Sequence, residues 1–208
     1  MSTVNDFLQL IYGALSQRGA NLFITPTNTL RAVDLAVKDV LNYEGVNWGF
    51  QLRTNDTFTT TGLSDTFIHT IPSSDTEFVR RIVSVEVNGN WLAALCVKAI
   101  PKLNYMHDVH FRFGDSTITM FDTPGSPITY TISYFAWFKT LTSLDQELPI
   151  PDFFLPALFD YTMSYLMLPF GQYGEWKDQN FYERATAKMA GILKSNSSQN
   201  SNLVIAIK

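Results

Sequence analysis

Two histidines three residues apart, in His107-Asp108-Val109-His110, are the first residues whose types suggest chemistry, because paired imidazoles can ligate a metal. They lie in an alternating stretch in which Val109, Phe111 and Phe113 interleave with Asp108, His110 and Arg112, the pattern of a strand. Strand positions three apart project from opposite faces, so the imidazoles diverge and no metal site is expected. Apart from this pair there is only His69. The single cysteine, Cys96, sits in the apolar run Trp91 to Val97 and reads as a small buried hydrophobe, not a nucleophile. One cysteine permits no internal disulfide, which suits a reducing compartment. Asp145 and Glu147 lie close in sequence, as do Asp56 and Asp65, but loop carboxylates are ordinarily just solvated. Serine or cysteine nucleophile motifs, glycine-rich phosphate loops and zinc spacings do not occur. The expectation is a non-enzyme, without catalytic residues, cofactor or metal.

Surface chemistry of another kind is suggested by tryptophan beside glycine. The segments Val46-Asn47-Trp48-Gly49-Phe50 and Tyr173-Gly174-Glu175-Trp176 both show it. Trp48 and Trp176 have two readings. Either they pack a core, or they anchor a contact with another subunit.

The last fourteen residues carry the strongest single signal. Ser195 to Asn202 is polar and uncharged throughout, and a segment of that kind reads as a flexible tether. Leu203, Val204, Ile205, Ala206 and Ile207 follow before Lys208. A lone strand of that length is not stable in water and needs a sheet edge or groove. Fully extended, the segment spans about 45 Å, long enough to reach a neighbouring subunit. It lies either on its own body or on another chain.

Composition points the same way. Of 208 residues, 46% are apolar, enough for a large core in one domain or two small ones. Only 16% are charged while 14% are aromatic, a balance that fits either a chain hiding surface in an oligomer or a monomer with few charges. The net charge is −4 and no basic run occurs, so tight nucleic-acid binding is not expected. The N-terminus lacks the basic start of a signal peptide. The longest apolar stretch, Phe153 to Leu168, is short for a bilayer and holds Pro156 and Asp160; it reads as a buried helix.

These features must be positioned by a mixed fold. Val4, Phe7, Leu8, Ile11 and Leu15 recur at helical spacing, with Ser2 and Thr3 as caps and Asp6 in the first turn. A second helix follows the turn segment Thr25 to Thr29, carries Leu30, Val33, Val37, Val40 and Leu41, and stops at Gly45. Asp34 and Lys38 are expected as an exposed pair on it. Residues 46–140 change to a period of two, with Asn88-Gly89 as the strongest hairpin signal. An antiparallel meander of roughly four to six strands is expected there. Asp152 then caps a buried helix over Phe153 to Leu168, and a last helix runs from about Glu175 to Lys194. The fold class is α+β: N- and C-terminal helices form a small bundle around a central antiparallel β-meander, with an extended C-terminal arm. The expected organisation is a single domain over 1–194 and a tether and arm over 195–208. Its helical body is 1–45 and 145–194, and its β insertion is 46–140.

Four segments together resemble the head-to-tail adaptor proteins of tailed bacteriophages, also called head-completion or tubular tail-connector proteins. They are the paired N-terminal helices; Phe67 to Ser74 leading into Phe78 to Gly89; Phe111 to Phe138 with its Ile132-Ser133-Tyr134-Phe135; and Leu144-Asp145 through Ile150-Pro151-Asp152-Phe153, the apolar helix after it, and Asn180 to Ala185. The resemblance covers most of residues 4–194. Two stretches depart from it, the long threonine-rich loop Leu52 to Thr66 and the hydrophobic segment Asn90 to Met106. The resemblance implies a virion protein of the neck, assembled in the host cytoplasm. It implies a homo-oligomeric ring, commonly of twelve copies, that joins the portal protein to the next tail or neck protein. Double-stranded DNA would pass through its channel without sequence-specific binding, and no membrane is involved. Leu203 to Ile207, Trp48 and Trp176 are then the expected interface residues. The alternatives are a tail-tube or baseplate component, or a soluble ligand-binding module.

Overall fold

The computed structural model describes residues 2–17, 25–61, 66–71, 77–87, 90–91, 93–94, 110–114, 117–121, 126–167 and 178–198. The protein is a mixed α and β chain that divides into two compact units. One is helical and combines the chain up to Phe50 with the chain from Thr140 onward; the other is Gln51–Lys139 and is built of strands.

The helical unit begins with α1 (Val4–Gln17). The hydroxyl of Thr3 accepts the Asp6 N–H at 3.1 Å, and the Asp6 carboxylate accepts the Thr3 N–H at 3.1 Å. This reciprocal cap satisfies free donors of the first turn. Val4, Phe7, Leu8, Ile11 and Leu15 are all buried, as their spacing requires. Backbone bonds from Val4 to Gln146, Asn5 to Leu144 and Leu148 to Ser2 stitch this start to the segment ahead of the third helix.

α2 (Pro26–Asn42) starts earlier than its apolar pattern suggests. Thr25 is the N-cap, accepting the Asn28 N–H, and Pro26 enters the first turn, where a missing N–H costs nothing. The helix gives way to a 3-10 turn, Tyr43–Gly45, where Glu44 and Gly45 take φ of 48° and 68°. Asp34 is not on an exposed face: it is buried. Its carboxylate accepts Lys38 Nζ at 2.7 Å and the Leu141 N–H at 2.9 Å. Helical spacing identified the partner four residues on but not the chain that covers the pair.

A 3-10 turn, Asp152–Phe154, leads into α3 (Leu155–Leu166). Asp152 does not cap this helix. Its Oδ1 instead accepts the N–H and hydroxyl of Ser2, across 150 residues of sequence. α3 is buried nearly all round, and α2 and α4 (Gln179–Ser198) pack against it. Asp178 caps α4 through the Phe181 N–H at 3.1 Å, and Phe181, Ala185 and Met189 face inward. The helix continues through Ser198, four residues beyond the Lys194 expected from its apolar stripe and into the polar tract read as a tether.

Among the described residues of the β unit, eight strands form two sheets of four rather than one meander. The first has the order β1-β8-β3-β4, from β1 (Leu52–Thr59), β8 (Thr129–Phe138), β3 (Glu77–Val87) and β4 (Asn90–Trp91). The second has the order β2-β7-β6-β5, from β2 (Thr66–Thr70), β7 (Thr117–Phe121), β6 (His110–Gly114) and β5 (Ala93–Ala94). All pairings are antiparallel except β5 with β6. Val87 lies opposite Asn90, so only Asn88 and Gly89 separate β3 from β4. The apolar run from Trp91, expected as one strand, contributes β4 to one sheet and β5 to the other. The threonine-rich segment from Leu52, expected as a loop, is largely β1. Threonine is a strand former, and Phe58 is the single apolar side chain of β1 that reaches the core.

One core joins the two sheets. Phe58, Val79, Val85, Tyr130, Ile132, Tyr134 and Ala136 of the first meet Ile118 and Met120 of the second and the adjoining Ile71. Alternation gives each strand one apolar face, and stacking two sheets buries all of those faces at once.

Trp48 is the centre of an aromatic cluster in the helical unit. Its ring meets Phe154 edge-on at 5.0 Å and stacks on Phe50 at 6.2 Å, and its Nε1–H donates to the Val40 carbonyl at 3.1 Å. Replacing Trp48 with Ala is therefore expected to destabilise the helical unit by about 3–5 kcal/mol. Urea unfolding followed by the helical circular dichroism signal measures this, and a loss below about 1 kcal/mol would contradict the packing described.

Candidate functional site

The interface residues expected from sequence fare differently in the structure. Trp48 is 0% exposed and cannot anchor a subunit contact without unfolding its surroundings; that expectation is corrected. Its position beside Gly49 suggested an open loop, but Phe154, about a hundred residues later in the chain, covers it. Trp176 and the arm Leu203, Val204, Ile205, Ala206 and Ile207 lie outside the described residues, as do Cys96 and His107. His69 stacks on Phe58 with ring centroids 4.5 Å apart, and burial pushes its imidazole below the ordinary histidine range. Asp145 and Glu147 are exposed loop residues. Among the described residues, no group of three or more His, Cys, Asp or Glu side chains is placed to hold a metal. Among them too, no helix is long and apolar enough to cross a membrane.

The functional geometry that sequence reasoning missed is a charged clasp between α3 and α4. Asp160 sits in the middle of α3 with 0% exposure. Lys188 Nζ lies 2.6 Å from its Oδ2, and Arg184 Nη2 lies 3.3 Å from its Oδ1. Neither contact has the direction of a good hydrogen bond, so charge holds the carboxylate. Lys188 also donates to the Pro156 carbonyl at 3.0 Å, one turn before Asp160. Two signals were present in the sequence: an acid within a long apolar run, and two cations four residues apart on the following helix. The clasp neutralises a buried charge and fixes α4 against α3.

Three tyrosines direct their hydroxyls to polar groups elsewhere in the helical unit. Tyr165 donates to Asp39 Oδ2 at 2.8 Å, and Tyr43 donates to the Thr186 carbonyl at 3.3 Å. Tyr161 lies 3.5 Å from the Thr186 hydroxyl, and burial pushes its phenol up to about 12. In the β unit, burial, followed by the hydrogen bond to Asp56, pushes Tyr134 up to about 12 as well.

Large apolar side chains are also open to water. Leu10 on α1 is 57% exposed and Phe153, beside the start of α3, is 49% exposed. In the β unit Ile68 is 64% exposed, and Phe78 is exposed beside Trp137, its cross-strand partner. Arg80 lies over the Trp137 ring at 4.5 Å. Aromatic rings beside an arginine are common at the centres of protein interfaces.

Two predictions follow from the buried groups. Replacing Arg184 and Lys188 together with Met leaves a buried carboxylate uncompensated, at a cost of roughly 3–5 kcal/mol in unfolding free energy. Adding Asp160→Leu to that variant is expected to recover most of the loss, whereas equal stability of the double and triple variants would rule the clasp out. Tyr134 and Tyr161 hold their protons more tightly folded than unfolded. Their contribution is complete below pH 10, the ordinary tyrosine value, and is lost as pH rises through about 12. A pH titration followed by circular dichroism should show the Tyr161→Phe variant unfolding at a higher pH than the unaltered protein. No protein-family model matches the chain, and no curated protein matches it.

Proposed function

We propose that the chain is a structural subunit of a bacteriophage neck. In this reading, copies of it form a closed ring that joins the portal vertex to the tail and leaves a channel for the genome. The observation that carries the reading is the set of large apolar side chains open to water on both units, Leu10, Phe153, Ile68 and Phe78, in a chain with only 16% charged residues. Such side chains ask for partners, and a ring supplies them on two complementary faces of every copy. The helical unit forms the body of the ring. The β unit receives the next neck or tail component. The net charge of −4 suits a channel to which DNA does not adhere, because phosphate contacts would slow its passage.

The C-terminal arm Leu203–Ile207 locks the assembly by ordering on a neighbour or on the portal. Ordering costs roughly 1–2 kcal/mol per residue of backbone freedom. Burial of each large apolar side chain offsets this by about 1.5–3 kcal/mol.

Deleting residues 203–208 should leave the folded state and its melting temperature unchanged while abolishing stable assembly. Mass photometry of the full and shortened chains, alone and with a portal ring, measures this. A shortened chain that joins portals as well as the full one would remove the arm from the mechanism. A full chain that remains monomeric and indifferent to portals would refute the neck reading. A ring of six or three copies would favour a tail-tube or baseplate component.

A further inference from the structure

Among the described residues, the two sheets present four edge strands, β1, β4, β2 and β5, and these are not equivalent. β4 and β5 are two residues long, too short to template another strand. β1 carries Arg53 and Asp56, and its pairing with β8 shifts register between them. Charges and bulges of this kind are how proteins blunt an exposed edge. β2 has none of these devices. Its five residues, Thr66-Phe67-Ile68-His69-Thr70, contain no proline and no carboxylate or ammonium group. All five pair with β7 in unbroken register. Phe67 is only partly buried against the core, and Ile68 on the other face is 64% exposed. A regular edge with no carboxylate or ammonium group and two large apolar side chains can accept a strand of matching length.

The sequence carries one segment suited to that pairing outside the described residues. Leu203-Val204-Ile205-Ala206-Ile207 has five residues, matching the length of β2. It contains no charge and is rich in β-branched side chains, the composition suited to pairing. It follows α4, which extends to Ser198, so only four residues separate the helix end from the donor. Those four span at most about 14 Å.

We infer that the free edge of β2 accepts Leu203–Ile207 of a neighbouring copy as an added strand. The choice of a neighbour rests on the ring proposed above, in which every copy gives one arm and takes another. The added strand covers Phe67 on one face and Ile68 on the other, and it satisfies the backbone groups on the outer side of β2.

Cysteine cross-linking of the full chain tests this. Cys96 is first replaced by Ser. One preparation carries Ile68→Cys; others carry Val204→Cys, Ile205→Cys or Ala206→Cys, and each is mixed with the first under oxidising conditions. Side chains of paired strands alternate in facing, so cross-linked dimers should form with a period of two. Either Ile205 alone, or Val204 and Ala206 without Ile205, should react several-fold more than the other parity. Ile68 is exposed, so its replacement leaves the core intact, and Thr70→Cys on the same face of β2 serves as a second acceptor that should show the same alternation. Cross-linking without alternation overturns strand addition. In further chains that carry Ile68→Cys together with Ile205→Cys or Ala206→Cys, disulfides that form only within single chains overturn the choice of a neighbour. If mass photometry shows rings while neither Ile68 nor Thr70 reacts, the docking site is wrong and the ring stands. If no ring forms alone or with portals and no cross-link appears, both readings fall.

Discussion

A carboxylate taken wholly out of water destabilises a fold by several kcal/mol unless cations meet it there. Asp160 imposes that requirement at the centre of α3, and Lys188 and Arg184 answer it from α4. Apolar burial alone would tolerate small rotations of α4 about its axis. The ion pairs do not, because both cations must point at one carboxylate. Lys188 adds the Pro156 carbonyl, so the same side chain ties α4 to the first turn of α3. The orientation of α4 against α3 is set by that clasp.

The β unit is organised by a different constraint. Most of its strands offer one apolar face and little else. Phe58 shows the solution: it lies on β1 yet stacks on Tyr130 of its own sheet and on Phe67 and His69 of the other. Sheet-on-sheet stacking thus fills the core with aromatic rings from both layers. Closing the layers in this way leaves edges, and β2 is the one whose length, register and side chains do not discourage an incoming strand.

The interior of the protein is satisfied by aromatic packing and a few directed polar contacts, of which the Trp48 bond to Val40 and the Asp34 bonds to Lys38 and Leu141 are the clearest. Four large apolar side chains, Leu10, Phe153, Ile68 and Phe78, remain open to water, and the assembly proposed above would give them partners.

The sequence by itself determined what depends on neighbours along the chain. The helical repeat from Val4 to Leu15 specified α1 and its buried face, Ser2 and Thr3 with Asp6 in the first turn marked its start, and the alternation around Ile132 specified β8 as a strand. Local chemistry suffices for these because helical contacts fall three and four residues apart and strand faces alternate every second residue. Partners distant in the chain were decided only by tertiary structure. Asp34 and Trp48 looked exposed until Leu141 and Phe154 covered them, Asp152 looked like a helix cap until Ser2 took its carboxylate, and Asp160 acquired its cations from a helix more than twenty residues away. Strand order was equally hidden. An apolar face says that a strand must be covered, but eight such faces can be covered in many orders, and only the packing of the whole unit selects two sheets over one.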